Sequence, residues 1–291
     1  MSPALIVNPS AGGGRAGRSL PAVVQRLRDH GLEHHVERTR SLEHARELAL
    51  TAVAAGETAV AFGGDGLIAA VAGALKHTPA TLGVLPGGRG NDFARALGIP
   101  LEPRAACAVL ASGVVRVLDL GEVGQRTFIS IASCGFDSDA NRIANETRLV
   151  PGKLVYAYGA LRALAGWTPA TFTVTLDGSE RRSLRGFSVA AANSCAYGGG
   201  MYLAPDASMQ DGMLDIVTIS EVPRLRFLAL LPTVFKGAHV RLAPVDVARA
   251  QTVHVAADRP IVMYADGDPI GELPVTVRAV AGALRVLVPV P

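Results

Sequence analysis

An aspartate set inside a glycine corner is the first feature of this chain that suggests chemistry. Phe62-Gly63-Gly64-Asp65-Gly66 closes one short apolar run, and a helical pattern opens at Leu67. Glycines at a strand-to-helix turn let bare backbone N–H groups approach a phosphate, and the helix N-terminus adds a partial positive charge. A carboxylate in such an anion site must be balanced by a divalent cation or by a proton transfer, so Asp65 is a candidate to handle magnesium or an acceptor hydroxyl. Capping the helix that follows is an equally weighted alternative. A second corner, Pro86-Gly87-Gly88-Arg89-Gly90-Asn91-Asp92, again lies between an apolar run and a helical pattern.

An earlier loop, Gly12 to Ser19 (GGGRAGRS), satisfies GxGxxG through Gly12, Gly14 and Gly17, with Glu37 about where a ribose-binding acid would sit. It misses a phosphate-binding P-loop because Arg18 replaces the lysine that reaches the β- and γ-phosphates. With 32 glycines in 291 residues, about 0.4 such matches are expected by chance, so the loop carries weight only through its context. Nucleotide contact and a simple Gly-rich turn are weighted alike. Late in the chain, Asp266-Gly267-Asp268 offers two acids, one of which would accept a proton from an acceptor hydroxyl. The competing reading is a hairpin turn between strands Ile261–Ala265 and Leu273–Val277, since Asp-Gly is a favoured turn pair.

The elements that must position these loops follow from periodicity. Ala4–Asn8, Glu33–Arg38, Thr58–Phe62 and Thr81–Leu85 read as strands, separated by helical stripes such as Leu20, Val23, Val24, Leu27 and Leu42, Ala45, Leu48, Ala49, Ala52. This alternation predicts βαβ units and a parallel sheet with helices on both faces. Parallel strands bring their C-terminal ends to one edge, so the two glycine corners share the edge where open α/β sheets bind ligands. Beyond about Val114 the rhythm becomes that of antiparallel strands: Val115–Leu120, Thr127–Ile131, Thr171–Leu176, Arg185–Ala191 and Leu214–Ile219, with helices over Lys153–Ala165 and Pro223–Phe235 and short strands from Val245 to Val288. The expected architecture is an α/β nucleotide-binding domain with a parallel sheet over 1–120, followed by a β-rich, sandwich-like α+β domain over 121–291. The last strand is a candidate to return to the first domain.

Composition narrows the function. Hydrophobic residues make up 49% and charged residues 18% of the chain, a globular balance. Twenty-eight basic against 25 acidic residues leave +3, too small an excess to argue for a nucleic-acid partner. Three separated cysteines, Cys107, Cys134 and Cys195, fit a reducing compartment and no structural zinc. The first ten residues lack the pattern of a signal peptide, and the longest apolar stretches are cut by Lys76, Arg226 or Lys236 before reaching the ~18 residues of a membrane span. The segment Arg224 to Arg241 mixes basic residues with Leu225, Phe227, Leu228 and Phe235, as a helix touching anionic lipid would. A helix half core and half solvated is the commoner explanation.

Taken together, Val7-Asn8-Pro9 with Gly12 and Gly14, GGDG at Gly63 to Gly66, and LPGGRGNDFAR at Leu85 to Arg95 resemble the diacylglycerol kinase catalytic-domain superfamily, which includes sphingosine and ceramide kinases. The likeness continues through Gly135-Phe136-Asp137, Asn193, Gly198 to Met201, Pro205-Asp206-Ala207, Asp211 to Asp215 and Asp266-Gly267-Asp268. The resemblance implies an ATP-dependent lipid kinase with ATP in a cleft between two domains. Asn8, Gly12, Gly14, Thr39, Gly63, Gly64, Gly66, Gly87, Gly88, Arg89, Gly90 and Asn91 would contact the nucleotide. Asp65 would serve the catalytic Mg2+, and Asp266 or Asp268 would be the general base. A structural Mg2+ would be held by the Asp211 side chain with carbonyl oxygens of Ser208 and Met213. Leu67, Ala69 and Ala70 stand where many members carry Thr, Asn and Glu, Arg89 stands for a Thr, and Asp268 for a Glu. The implied partners are a lipid alcohol and, through peripheral contact, a membrane surface met from the cytoplasm. Edge strands of the second domain are candidates for pairing two chains as a homodimer. The competing functions are an NAD-kinase-like small-molecule kinase sharing only GGDG, a dehydrogenase using Gly12 to Gly17, and a lipid-binding relative with little activity.

Overall fold

The computed structural model describes residues 2–147, 150 and 154–290. The chain forms two compact units: residues up to Leu120 together with those from Ala281 onward, and Gly121–Val280.

The first unit is built on β1 (Pro3–Val7), β2 (His35–Arg38), β3 (Thr58–Gly63) and β4 (Thr81–Pro86), joined by α1 (Ala11–Asp29), α2 (Leu42–Ala54) and α3 (Asp65–Leu75). All four strands are parallel, in the order β2-β1-β3-β4. β1 and β3 are buried on both faces, which is why they read as unbroken aliphatic runs rather than alternating ones. Helices cover them with the predicted stripes: Leu20, Val23 and Leu27 of α1 and Ala45, Ala49 and Ala52 of α2 are buried. The register places Val7 beside Phe62 and Phe62 beside Leu85, so Asn8, Gly63 and Pro86 end at one edge. α4 (Asp92–Ala96) and α5 (Pro103–Ser112) follow. α5 was not anticipated, although Glu102, whose side chain accepts from the Ala105 N–H, and Pro103 in the first turn are a start signal.

The second unit is antiparallel. It holds β6 (Arg126–Phe128), β7 (Ile131–Gly135), α6 (Phe136–Glu146), α7 (Leu154–Gly166), β8 (Ala170–Leu176), β9 (Glu180–Ala192), β10 (Leu214–Ser220), α8 (Arg224–Val234), β11 (Val245–Ala250), β12 (Thr252–Ala257), β13 (Val262–Ala265) and β14 (Asp268–Glu272). β5 (Val114–Val123) enters this unit at its end, and β15 (Val275–Val288) leaves it. β9 turns the sheet: residues 180–186 pair with β8, while 188–192 lie between β7 and β10. Gly186 sits at the change, where a Cβ would strike the Ile219 carbonyl oxygen. Phe187 of β9 stacks on Phe227 of α8 with centroids 4.0 Å apart, and Phe136 of α6 meets Phe227 edge-on at 4.6 Å.

Several expected elements change. Thr127–Ile131 is not one strand: it breaks between Phe128 and Ile131, because the backbone N–H groups of 129–131 turn to a carboxylate from far along the chain. The Asp266-Gly267 turn leads into β14, not into Leu273–Val277. Pro274 has no N–H to give a ladder, and β15 begins after it. α6 was unforeseen. The expected helix from Lys153 runs from Leu154, Lys153 itself lying outside the described residues. β15 is shared: Thr276–Arg278 pair with β12, and Arg285–Val286 run parallel to β4.

Candidate active site

The three glycine segments of the first unit meet at the C-terminal edge of its sheet. Gly12, Gly13 and Gly14 have φ of 61°, 69° and 84°, so the regular helix of α1 starts only after them. A Cβ on Gly12 would strike the Gly87 carbonyl oxygen. The second and third corners are closer still: the Gly87 N–H donates to the Gly63 oxygen at 2.6 Å, and a Cβ on Gly88 would lie 2.5 Å from Gly64 Cα. Only glycine lets two backbones approach like this. Asn8 and Thr39 stand at the same edge. The Asn8 N–H donates to the Phe62 oxygen at 3.1 Å, the Thr39 N–H to the Val7 oxygen at 2.8 Å, and Asn8 Oδ1 accepts from the Ser10 hydroxyl at 2.8 Å.

Some expected phosphate donors are spent inside the loops. Gly87 N–H is used as above, and Gly88 N–H donates to Asn91 Oδ1 at 2.8 Å, while Asn91 Nδ2 donates back to the Gly88 oxygen at 3.1 Å. Asn91, buried and at φ 54°, therefore shapes the corner rather than facing outward. Arg89 is exposed. Arg15 is different: its Nε and Nη2 are buried, with no hydrogen-bond partner among the described residues. Its Cβ lies 3.3 Å from the position a Gly12 Cβ would take, at the junction with the Gly87 corner. Two buried guanidinium nitrogens without a partner are the donors an anion at this spot would engage.

Asp65 does not cap its own helix. Gly64 takes that position without a side-chain cap, and Asp65 Oδ1 instead accepts the Phe93 N–H, 28 residues on, at 3.2 Å. Burial, reinforced by the negative charge of Asp92 and only partly offset by backbone N–H groups, raises its pKa from 3.8 to about 6. Gly90 lies between the two acids. The point its Cβ would occupy is 2.9 Å from Asp92 Oδ2 and 3.2 Å from Asp65 Oδ2. Two carboxylate oxygens converging on one small space fit the hard oxygen donors that magnesium takes.

The second unit places the remaining candidates. Asp266, at φ 50°, accepts the N–H groups of Ile129 at 2.7 Å, Ser130 at 2.9 Å and Ile131 at 3.4 Å, so both carboxylate oxygens are engaged by backbone. Asp268 is exposed at the start of β14. Asp266 to Ala removes the acceptor from three N–H groups, and we expect it to destabilise the protein by about 2–4 kcal/mol in urea unfolding. At the expected structural metal site, Asp211 Oδ1 accepts the Met213 N–H at 3.0 Å, and its other oxygen pairs with Arg249. Arg249 also lies 3.2 Å from Asp215, whose pKa is raised by burial and by Asp211 and Asp206, with Arg249 opposing. Ser208 Oγ accepts the Gln210 N–H at 3.2 Å. A guanidinium thus pairs with the Asp211 carboxylate where the resemblance would put a metal.

Glycine corners locked back to back at the ends of parallel strands, beside an acid of raised pKa, are the arrangement expected of a phosphotransferase rather than of a dinucleotide fold. The comparisons with known proteins agree. Residues 2–123 match the model of the diacylglycerol kinase catalytic domain, and 130–288 match the YegS C-terminal NAD kinase beta sandwich-like domain. A diacylglycerol kinase of Mycobacterium tuberculosis is 38% identical over 98% of this chain and 94% of its own length. One from Bacillus subtilis is 31% identical over 93% and 90%. A crystal structure of a diacylglycerol kinase from Bacillus anthracis superposes with a TM-score of 0.78 at 20% identity, over 99% of this chain and 96% of that one. An NAD kinase from Archaeoglobus fulgidus shares the fold at a TM-score of 0.53 and 15% identity, over 98% of this chain and 93% of that one. The chain belongs to the diacylglycerol kinase and YegS-like family of lipid kinases. Among the described residues no helix is long and apolar enough to cross a membrane.

Proposed function

We propose that the first unit binds MgATP at its glycine edge and that the enzyme passes the γ-phosphate to the free hydroxyl of diacylglycerol. The observation that carries this reading is the contact of Gly63-Gly64 with Gly87-Gly88, with Asp65 Oδ2 3.2 Å from the point a Gly90 Cβ would occupy. The relatives named diacylglycerol kinase support the choice of acceptor. In this mechanism the first turn of α3 presents N–H groups that have no intrahelical partner to the phosphates. Arg15 pairs with the phosphate tail. Asp65 and Asp92 would hold the magnesium that accompanies ATP, which would supply neutralisation of phosphate charge.

Asp65 is the acid best suited to accept the acceptor proton, because a pKa of about 6 keeps it ionised at neutral pH yet basic enough to take a proton. As the lipid oxygen attacks phosphorus in line, its proton passes to Asp65, the bond to the bridging oxygen of the β-phosphate breaks, and ADP leaves. Asp266, with its oxygens given to backbone, acts as a positioning residue for the 129–131 turn. The acceptor lies in a bilayer, so the enzyme works at a membrane surface on the side where ATP is supplied.

The direct test is incubation of the purified protein with labelled ATP, magnesium and a panel of lipid alcohols, with products identified by mass spectrometry. Phosphatidic acid from diacylglycerol is the expected product, and label on a different alcohol, or on none, would sink the assignment. Arg15 to Ala raises the KM for ATP by about tenfold to a hundredfold while leaving the KM for lipid unchanged, as steady-state kinetics would record.

A further inference from the structure

α8 is packed in an unusual way for a surface helix. Phe227, Leu230 and Val234 point inward and are buried. The opposite side, one hundred and eighty degrees away on a helix of 3.6 residues per turn, carries Leu225, Ala229 and Pro232, all exposed and none charged. Leu225 is 82% exposed, the largest value among the exposed large hydrophobic side chains of the described residues. Just past the helix Phe235 is 50% exposed, next to exposed Lys236. Tyr202, 36% exposed, is tied to the same end by its N–H, which donates to the Val234 oxygen at 2.9 Å.

Charge selects the occupant of this apolar crest. Arg224 and Arg226 flank Leu225, Lys236 follows Phe235, and between Val222 and Val245 there is no Asp or Glu, although the chain as a whole carries 25 acids. Arg224 is anchored by donating to the Trp167 oxygen at 3.1 Å, which fixes the start of the helix. A protein partner of ordinary mixed charge gives no reason for this one-sided rim. An apolar ridge with cations along its border and an aromatic residue at its end matches the boundary between headgroups and acyl chains of an anionic bilayer.

We infer that the outer face of α8, with Leu225 at its crest and Arg224, Arg226 and Lys236 at its rim, is the surface by which the enzyme rests on anionic membranes. The inference builds on the lipid-kinase reading and names where that enzyme meets its substrate's bilayer. Each basic residue at an anionic surface strengthens binding about fivefold, and burial of one leucine adds about tenfold or more.

The test uses the full chain and vesicles of phosphatidylcholine alone or with phosphatidylglycerol, scored by co-sedimentation. Parallel assays follow phosphorylation of a short-chain diacylglycerol dissolved as monomer. The wild type should bind the anionic vesicles, less so as salt rises from 0.15 to 0.5 M, as expected from shortening of the screening length to a few ångströms. Leu225→Glu should weaken vesicle binding at least tenfold and leave kcat/KM on the monomeric substrate unchanged, and Arg226→Gln should weaken it about fivefold. Equal binding of wild type and Leu225→Glu overturns the inference, as does wild-type binding that ignores lipid charge. So does a chain-to-chain dimer, seen by light scattering, that Leu225→Glu dissociates while vesicle binding persists. If the wild type binds anionic vesicles but phosphorylates no lipid in either format, the kinase reading fails and the surface stands.

Discussion

Asp65→Asn should lower kcat for lipid phosphorylation by about a thousandfold while making the folded protein more stable at neutral pH. The first half follows from removal of a positioned base, a loss that commonly amounts to about 10²–10⁴ in rate. The second follows from the sign of the pKa shift. Asp65 is raised from 3.8 to about 6 in the folded protein, so the fold favours the protonated carboxyl. That contribution is fully present below pH 3.8 and is lost as pH rises through about 6, where the folded protein must carry a charge that burial and Asp92 disfavour. At pH 8 the wild type therefore bears a penalty of about 3 kcal/mol that the neutral amide does not. Urea unfolding of both proteins at pH 4 and pH 8 measures it: the curves should nearly coincide at pH 4, and the variant should be the more stable at pH 8. The same shift predicts that wild-type kcat/KM climbs as pH passes through about 6. A variant that loses activity and stability together would mean that Asp65 is a strut.

Much of the site was legible because it is made of local pattern. The two corners announce themselves as glycines between an apolar run and a helix, and parallel strands have no choice but to bring such corners to one edge. What could not be read was which groups the loops consume. Nothing near Asp65 in the chain says that Phe93 will take its carboxylate, and nothing near Gly88 excludes its N–H from phosphate contact except Asn91, whose amide fits either role. The same limit explains the broken strand at 129–130. Thr127, Phe128, Ile129 and Ile131 favour an extended chain, and the interruption is imposed by Asp266, more than 130 residues away. α6 is another matter: Phe136, Ala140, Ile143 and Ala144 recur at helical spacing, so its signal is present in the sequence beside the Gly-Phe-Asp motif. At Asp211 the resemblance implied a cation, and the fold brings a cationic side chain, Arg249, from the neighbouring strand, a pairing that nothing near Asp211 in the chain announces.

In the proposed mechanism ATP binding depends most on backbone contact between the corners, and Gly88→Ala isolates it. Gly88 needs no left-handed conformation, so the substitution costs nothing in intrinsic backbone strain. Its effect is purely one of space. The added methyl would lie 2.5 Å from Gly64 Cα and 3.4 Å from Gly64 N, both backbone, and 3.0 Å from Asn91 Oδ1, which is already committed to the Gly88 N–H. The nearest of these atoms is backbone, so the Gly87 corner must move away from the Gly63 corner by the better part of an ångström. Overpacking of this kind costs about 1–3 kcal/mol of stability. The functional cost is larger, because misplacing reacting groups by about 1 Å lowers rates by about a hundredfold. Kinetics should therefore show kcat/KM for ATP reduced about a hundredfold in a protein that still unfolds cooperatively. Gly13→Ala provides the contrast: at φ 69° the residue is strained by any side chain, yet its Cβ would meet nothing within 4 Å. It should cost about 1 kcal/mol of stability and little activity. Were the two variants to lose ATP turnover equally, the close approach of Gly64 and Gly88 would not be what shapes the phosphate site, and loop strain would take its place.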